Sequence, residues 1–450
     1  MKPSGNAPHD PGLAAPDWEK YVRAVERCRP LRKEGKVLKA AGLVIEANGP
    51  GLCVGSLCAI HTSEGRVIPS EIVGFKEKRV IAMPYGEVRG IQPGSRLVDL
   101  NKKSCVPVGE GYLGRVIDGM GSPLDGGGPV AWKQEYPLHG SSLNPLRRSV
   151  IHEVLDVGVR AINALTTVGK GQRLAIMAGS GVGKSVLMGM IARNTEAPVT
   201  VIGLIGERGR EVREFLEQSL GEAGLKKSVV VVATADASPL LKIRSAYVAT
   251  AMAEYFRDQG RDVILMMDSV TRFAMALREV GLAAGEPPSA KGYTPSVFSE
   301  IPRLLERAGT LEGGGSITAI YNVLVEGDDM NEPIADSTRS VADGHLVLSR
   351  ALAHQGHFPA IDAGASISRV MGEIVAPEHL AWARAMIKTL SVYREAEDLI
   401  HIGAYADGSD PEIDFAKKRI GKMRAFLQQG REERSNLQES VSGLKDLFGE

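Results

Sequence analysis

The middle of this sequence predicts an α/β fold, a doubly wound and largely parallel sheet. A small β domain precedes it and helices follow. Three observations carry that prediction. Arg173 to Ser185, RLAIMAGSGVGKS, reads as a buried strand, a glycine-rich turn and the start of a helix. From about residue 150, strand-like runs at Leu174–Met177, Val199–Ile205, Val229–Ala235, Val263–Asp268 and Ile317–Val325 alternate with helical segments. Residues 35–103 instead hold short β-rich runs parted by turns, and beyond about 376 the strand signal stops.

Composition narrows the class. The chain has 450 residues, too many for one simple core. Its 43% hydrophobic and 24% charged residues are those of a soluble globular protein. Lys+Arg and Asp+Glu are 54 each, so no basic excess marks a general nucleic-acid binder, and low net charge eases self-association. Cys28, Cys53, Cys58 and Cys105 form no C-x-x-C pair and have no His cluster nearby, so neither structural zinc nor a disulfide framework is expected. A reducing cytoplasm fits that usage. The first residues lack the apolar stretch of a secretory signal, and no uncharged apolar run approaches the ~18 residues of a membrane span.

In chain order, residues 1–16 are rich in Pro, Gly and Ala and read as disordered. Asp17 can cap a helix whose Trp18, Tyr21, Val22 and Val25 share one face, with Pro30 ending it. That face either packs on its own body or docks on a partner, so 1–34 forms the first unit. The second, 35–103, has runs at Val37–Ile45, Gly51–His61, Arg66–Phe75 and Arg79–Pro84, a spacing that suggests a small β-barrel or sandwich. No aromatic platform or basic face makes it an oligonucleotide-binding barrel. Gly109 to Gly128 reads as a glycine-rich connection into the α/β unit, 104–375. In 376–450, Pro377–Ile402, Ile413–Gln429 and Glu432–Phe448 read as helices of a separate domain, with a loop at Gly403–Pro411.

The chemistry concentrates at strand ends. Gly179, Ser180, Gly181, Val182, Gly183, Lys184, Ser185 and Val186 follow the phosphate-binding loop pattern, with Ala178 where its strictest form has Gly. Glycines let backbone N–H groups turn inward, and the helix N-terminus adds unpaired N–H groups. Lys184 would reach the β- and γ-phosphates and Ser185 would hold Mg²⁺. Asp268 ends a buried strand, where it would orient water on Mg²⁺. Glu207 leaves a strand end beside the loop. It can orient and deprotonate an attacking water, or it is an exposed turn residue paired with Arg208 or Arg210. In such sheets ligands bind beyond the carboxyl ends of strands, which is where these groups fall.

Four stretches then carry a family resemblance: GSGVGKS, IGERGREVREF, DSVTRFAMALREVGLAAGEPPSAKGYTPSVFSEIPRLLERAG and GHFPAIDAGASISRVM. They closely resemble the ATPases of type III protein export, relatives of the catalytic and non-catalytic subunits of rotary ATPases. The resemblance covers about residues 35 to 430. GAYADGSDPEID and FLQQG are closer to the flagellar branch than to the virulence branch. It implies a RecA-like P-loop ATPase core, an N-terminal β-barrel and a C-terminal helical domain. It implies ATP with Mg²⁺, and a homo-oligomeric, hexameric ring at the cytoplasmic face of the inner membrane. It also implies partners: a stator-like regulator on the N-terminal helix, a central stalk protein, an export gate and chaperone–substrate complexes. Peripheral membrane association is left open, and nucleic acid is not expected.

Position by position, the resemblance makes Lys184 and Ser185 the phosphate and Mg²⁺ pair, Glu207 the water-polarising carboxylate and Asp268 the Walker B carboxylate. Arg208 matches an arginine that contacts the γ-phosphate, and Arg272 one that lines the same pocket. Phe358 matches an aromatic that stacks on adenine, with a core Phe as the alternative. Arg369 matches the arginine finger lent by a neighbouring subunit, with a structural Arg as the alternative. Gly285 to Ser296 matches a loop facing the ring's pore. Ala363-Gly364 departs from the apolar pair usual there, an expected loosening between Phe358 and Arg369. No role is assigned to Ser435–Glu450. A virulence-secretion ATPase, a non-catalytic rotary subunit and an RNA-translocating hexamer are the competing readings.

Overall fold

The structure, a computed structural model, describes residues 18–27, 33–49, 51–140, 144–325, 327 and 329–449. The proposed disordered stretch 1–16, the cap Asp17, Cys28 and Pro30 lie outside those residues. The helix Trp18–Arg27 forms. Trp18, Tyr21, Val22 and Val25 are all exposed, so this face is not packed on the rest of the chain.

Six strands close a barrel. Around it run Glu34–Ala41, Val44–Asn48, Arg79–Pro84, Val67–Lys76, Leu57–His61 and Arg96–Asp99, the last pairing back with the first. The run predicted as one strand over Val37–Ile45 is a hairpin instead, because Gly42 adopts φ +59° and turns the chain. Val37, Ile45, Cys58, Ile60, Ile72 and Leu97 fill the barrel. Arg96–Asp99 has no long apolar run to announce it.

The central sheet orders its strands Ile367–Ser368, Gly344–Leu348, Arg173–Ala178, Ser316–Leu324, Val263–Asp268, Val199–Glu207, Ser228–Thr234 and Val116–Asp118, with Gly309–Thr310 beside Ser316–Leu324. Arg173–Ala178 and Val199–Glu207 pair in parallel with their neighbours. Continuous apolar runs suit a sheet covered on both faces. Four strands of this sheet, the short Gly309–Thr310 among them, have no counterpart in the sequence expectation. Val116–Asp118 lies inside the supposed glycine-rich connection and adds an edge strand. Gly344–Leu348 and Ile367–Ser368 extend the other edge, beyond the Arg173–Ala178 strand.

One face of the sheet is covered by Pro239–Asp258, Val270–Ala284 and Pro295–Leu305. The other carries Lys184–Asn194 and shares its core with the C-terminal helices Pro377–His401, Pro411–Leu427 and Leu437–Phe448. Those helices are therefore packed on the α/β unit rather than apart from it. The helix expected over Glu432–Phe448 forms as Leu437–Phe448, opened by a reciprocal Asn436–Glu439 cap and seated by the buried Leu444.

Candidate functional site

The strand Arg173–Ala178 ends under the glycine loop, and Gly181 and Gly183 take φ +79° and +88°. Only glycine holds that left-handed backbone cheaply, so the loop can curl its N–H groups inward. The helix Lys184–Asn194 starts directly after Gly183. Val182 is buried beneath the loop, whereas Ser180, Ser185 and Val186 are exposed at its mouth.

Three parallel strands deliver the charged groups. Lys184 Nζ donates to Asp268 Oδ1 at 2.5 Å and stands 3.9 Å from Glu207 Oε1. Asp268 ends Val263–Asp268 with its side chain only 4% exposed. Glu207 ends the adjacent strand, in register with it through Leu204 opposite Asp268. Burial, reinforced by the negative charge of Asp268, pushes the Glu207 carboxyl up to about 7, although Lys184 pulls the other way. Glu207 is not paired with Arg208 or Arg210, which engage Glu211 and Glu214. An ammonium held between two carboxylates beside an N–H-lined loop is poised to receive a phosphate chain.

The remaining expected residues distribute unevenly. Phe358 is brought to the loop: its ring carbons lie 3.6 Å from where a Cβ on Gly183 would stand. It is 46% exposed, which a core Phe would not be. Arg208 is not brought in. It precedes the helix Gly209–Glu214, and its exposed side chain faces Glu211, 3.6 Å away on the first turn. Arg272 also stands aside. Its stem packs against Gly206, and it lines a neighbouring cleft of about 250 Å³ with Arg278, Lys291 and Tyr293, a cleft the glycine loop does not line.

Arg369 is exposed at the opposite end of the sheet. Its N–H bonds Asp343 O at 2.9 Å, and Asp343 N–H bonds Arg173 O at 2.8 Å, at the start of the strand whose far end carries the loop. A strand of that length separates the two by about 15–20 Å, beyond the reach of an arginine side chain. The Ala363-Gly364 segment is not loose. Asp362 Oδ1 accepts from Gly364 N–H at 3.0 Å, Ala365 N–H at 3.2 Å and Arg394 at 3.0 Å.

Sequence spacing missed the residues behind this site. Gln429 donates its N–H to Phe358 O at 2.9 Å, anchoring the aromatic from the C-terminal part of the chain. Nothing in the periodicity of FLQQG signals that contact.

Comparison with known proteins bears on the same regions. The ATP synthase alpha/beta family models match residues 37–101, as the beta-barrel domain, and 158–368, as the nucleotide-binding domain. A T3SS EscN ATPase C-terminal domain model matches 375–446. The Flagellum-specific ATP synthase of Bacillus subtilis is 52% identical over 439 residues, spanning 96% of this chain and 99% of its own length. The chain belongs to the type III export ATPase family. The assembled ATPase EscN of enteropathogenic E. coli superposes with a TM-score of 0.87 at 45% identity, over 92% of this chain and all of that one. EscN with its central stalk EscO gives a TM-score of 0.85 at 44% identity over the same shares. As a member of this family the protein is an ATPase with a nucleotide-binding core, a β-barrel before it and a helical domain after it. Among the described residues no helix is long and apolar enough to cross a membrane.

Proposed function

We propose that this type III export ATPase serves flagellar protein export as a hexameric ring, hydrolysing ATP to release or unfold export substrates and their chaperones. The flagellar reading rests on 52% identity to the B. subtilis flagellar relative, against 47% to the Type 3 secretion system ATPase of Xanthomonas euvesicatoria. One observation carries the chemistry: Lys184 standing between Asp268 and Glu207 at the mouth of the glycine loop. Lys184 would exchange those carboxylates for phosphate oxygens. Ser185 and Asp268 form an all-oxygen donor set, the kind Mg²⁺ prefers, and would hold it. When bound, that ion would neutralise phosphate charge.

Glu207 takes the proton of the attacking water. A carboxyl raised to about 7 is a stronger base than an ordinary carboxylate and still ionises near neutral pH. Phe358 stacks on adenine from beside Gly183. Arg369, out of reach of its own loop, meets a neighbour's γ-phosphate across a head-to-tail contact, the geometry that closes rings. Arg208 and Arg272 would have to swing inward to join the site. Gly285–Ser296 would line the pore, where a central stalk fits. The exposed Trp18–Val25 face suits a stator-like regulator, and export gate and inner-membrane association complete the assignment.

Glu207→Gln tests the reading. It should bind ATP with near-normal affinity and lose hydrolysis, whereas Lys184→Ala should lose tight binding too. Hydrolysis by Glu207→Gln within a few-fold of the parent would overturn Glu207 as the base.

A further inference from the structure

The helix Gly209–Glu214 begins two residues after Glu207 and runs without a break into a wider π-turn, Phe215–Leu220. The last carbonyls of such a stretch lack partners within it and carry partial negative charge. Two guanidiniums meet them. Arg431 Nη2 donates to Gln218 O at 2.6 Å, and Arg193 Nη1 donates to Ser219 O. Arg193 lies in the last turn of Lys184–Asn194, the helix that the phosphate loop opens. Its other amino group donates to Arg431 O and stands 3.8 Å from Glu432 Oε2. Its side chain is only 15% exposed. The two helical stretches also touch backbone to backbone: a Cβ on Gly189 would lie 2.5 Å from Ser219 O. The C-terminal loop that Arg193 grips is the one whose Gln429 holds Phe358.

We propose that Arg193 is a positioning residue for hydrolysis. It clamps the far end of the Glu207-bearing segment between the phosphate-loop helix and the C-terminal loop Gln428–Glu433, and so fixes how far Glu207 stands from Lys184. This rests on the reading of Glu207 as the base. A planar guanidinium can serve two carbonyls on different elements at once, whereas a lysine ammonium on a single stem spans them poorly. A shift of about 1 Å in a catalytic group can cost on the order of 10² in rate. The groups facing Glu207 are Asp268 on its strand, Lys184 on its helix and Glu211 one turn further along, so displacement changes its titration as well as its reach.

The test is steady-state ATPase kinetics of full-length, assembled Arg193→Ala and Arg193→Lys, with pH profiles. For Arg193→Ala, kcat should fall about ten- to a hundredfold with KM changed no more than about twofold. Its acid limb should move to lower pH as Glu207 leaves burial and Asp268, and Arg193→Lys should fall between it and the parent. A merely structural role would lower the melting temperature and leave the acid limb in place. Parent-like kcat and acid limb in Arg193→Ala would overturn the proposal. Should Arg193→Ala not fold, Arg193→Lys decides: at least a threefold loss of kcat with a shifted limb supports the clamp, and parent values overturn it. Glu207→Gln separates the two claims. If it still hydrolyses ATP, the base assignment fails and takes the clamp's purpose with it. If it is inactive while the Arg193 variants match the parent, only the clamp fails.

Discussion

The two ends of the central sheet are built in opposite ways. At the carboxyl end, Lys184, Asp268 and Glu207 are largely buried and already in contact within one chain. At the amino end, Arg369 is exposed, held by its backbone to Asp343 and engaged with nothing at the loop of its own chain. Burial at one end raises the Glu207 carboxyl and holds Lys184 between two carboxylates. Exposure at the other leaves a cation ready for a surface outside the chain. On the proposed reading, the difference would leave one subunit with a complete phosphate cradle and only part of the transition-state machinery.

The largest expected effect lies at the exposed end. Arg369→Ala should retain ATP binding and lose on the order of 10³–10⁵ in kcat, the scale of arginine fingers in related hydrolases. A loss of binding instead, read by calorimetry, would make Arg369 part of the cradle and erase the contrast.

The buried end should show in the pH profile. Because burial raises the Glu207 carboxyl to about 7, the group holds a proton below that pH and is a base above it. Parent kcat/KM should therefore drop about tenfold per pH unit below ~7 and level off above it. An acid limb near the ordinary carboxylate range would mean that Glu207 is not desolvated in the working enzyme.

A smaller effect should come from the strut behind Arg369. Arg173 donates two bonds of 3.0 Å to the Asp343 carboxylate, and both side chains are part-buried. Asp343→Ala should cost about 1–3 kcal/mol of stability, measured by denaturant unfolding. It should lower kcat less than Arg369→Ala, since the finger itself remains.

The core strands were legible because strands covered on both faces must be apolar throughout: VILMMD and VTVIGLI announce themselves. The glycine loop was legible because its backbone demands glycine at Gly181 and Gly183. Elements too short to show a pattern escaped. Val116–Asp118 has three residues, and Gly344–Leu348 has a half-buried His345 and Val347 that blur it. Leu437–Phe448 was legible as part of the helical run Glu432–Phe448, but its start at the Asn436 cap was not. At the site, Glu207 and Asp268 could be placed from strand ends. The swing of Arg208 toward Glu211, the seat of Arg272 on Gly206 and the grip of Arg193 depend on tertiary packing that no local spacing encodes.

Mixing two inactive proteins tests the division of labour most directly. Glu207→Gln subunits still present Arg369, and Arg369→Ala subunits still present Glu207. Assembled in equal amounts, random placement around a head-to-tail ring leaves roughly a quarter of interfaces with both groups intact. ATPase activity should then rise well above the sum of the two variants measured apart. Verified mixed rings no more active than that sum would contradict a site shared between neighbouring subunits.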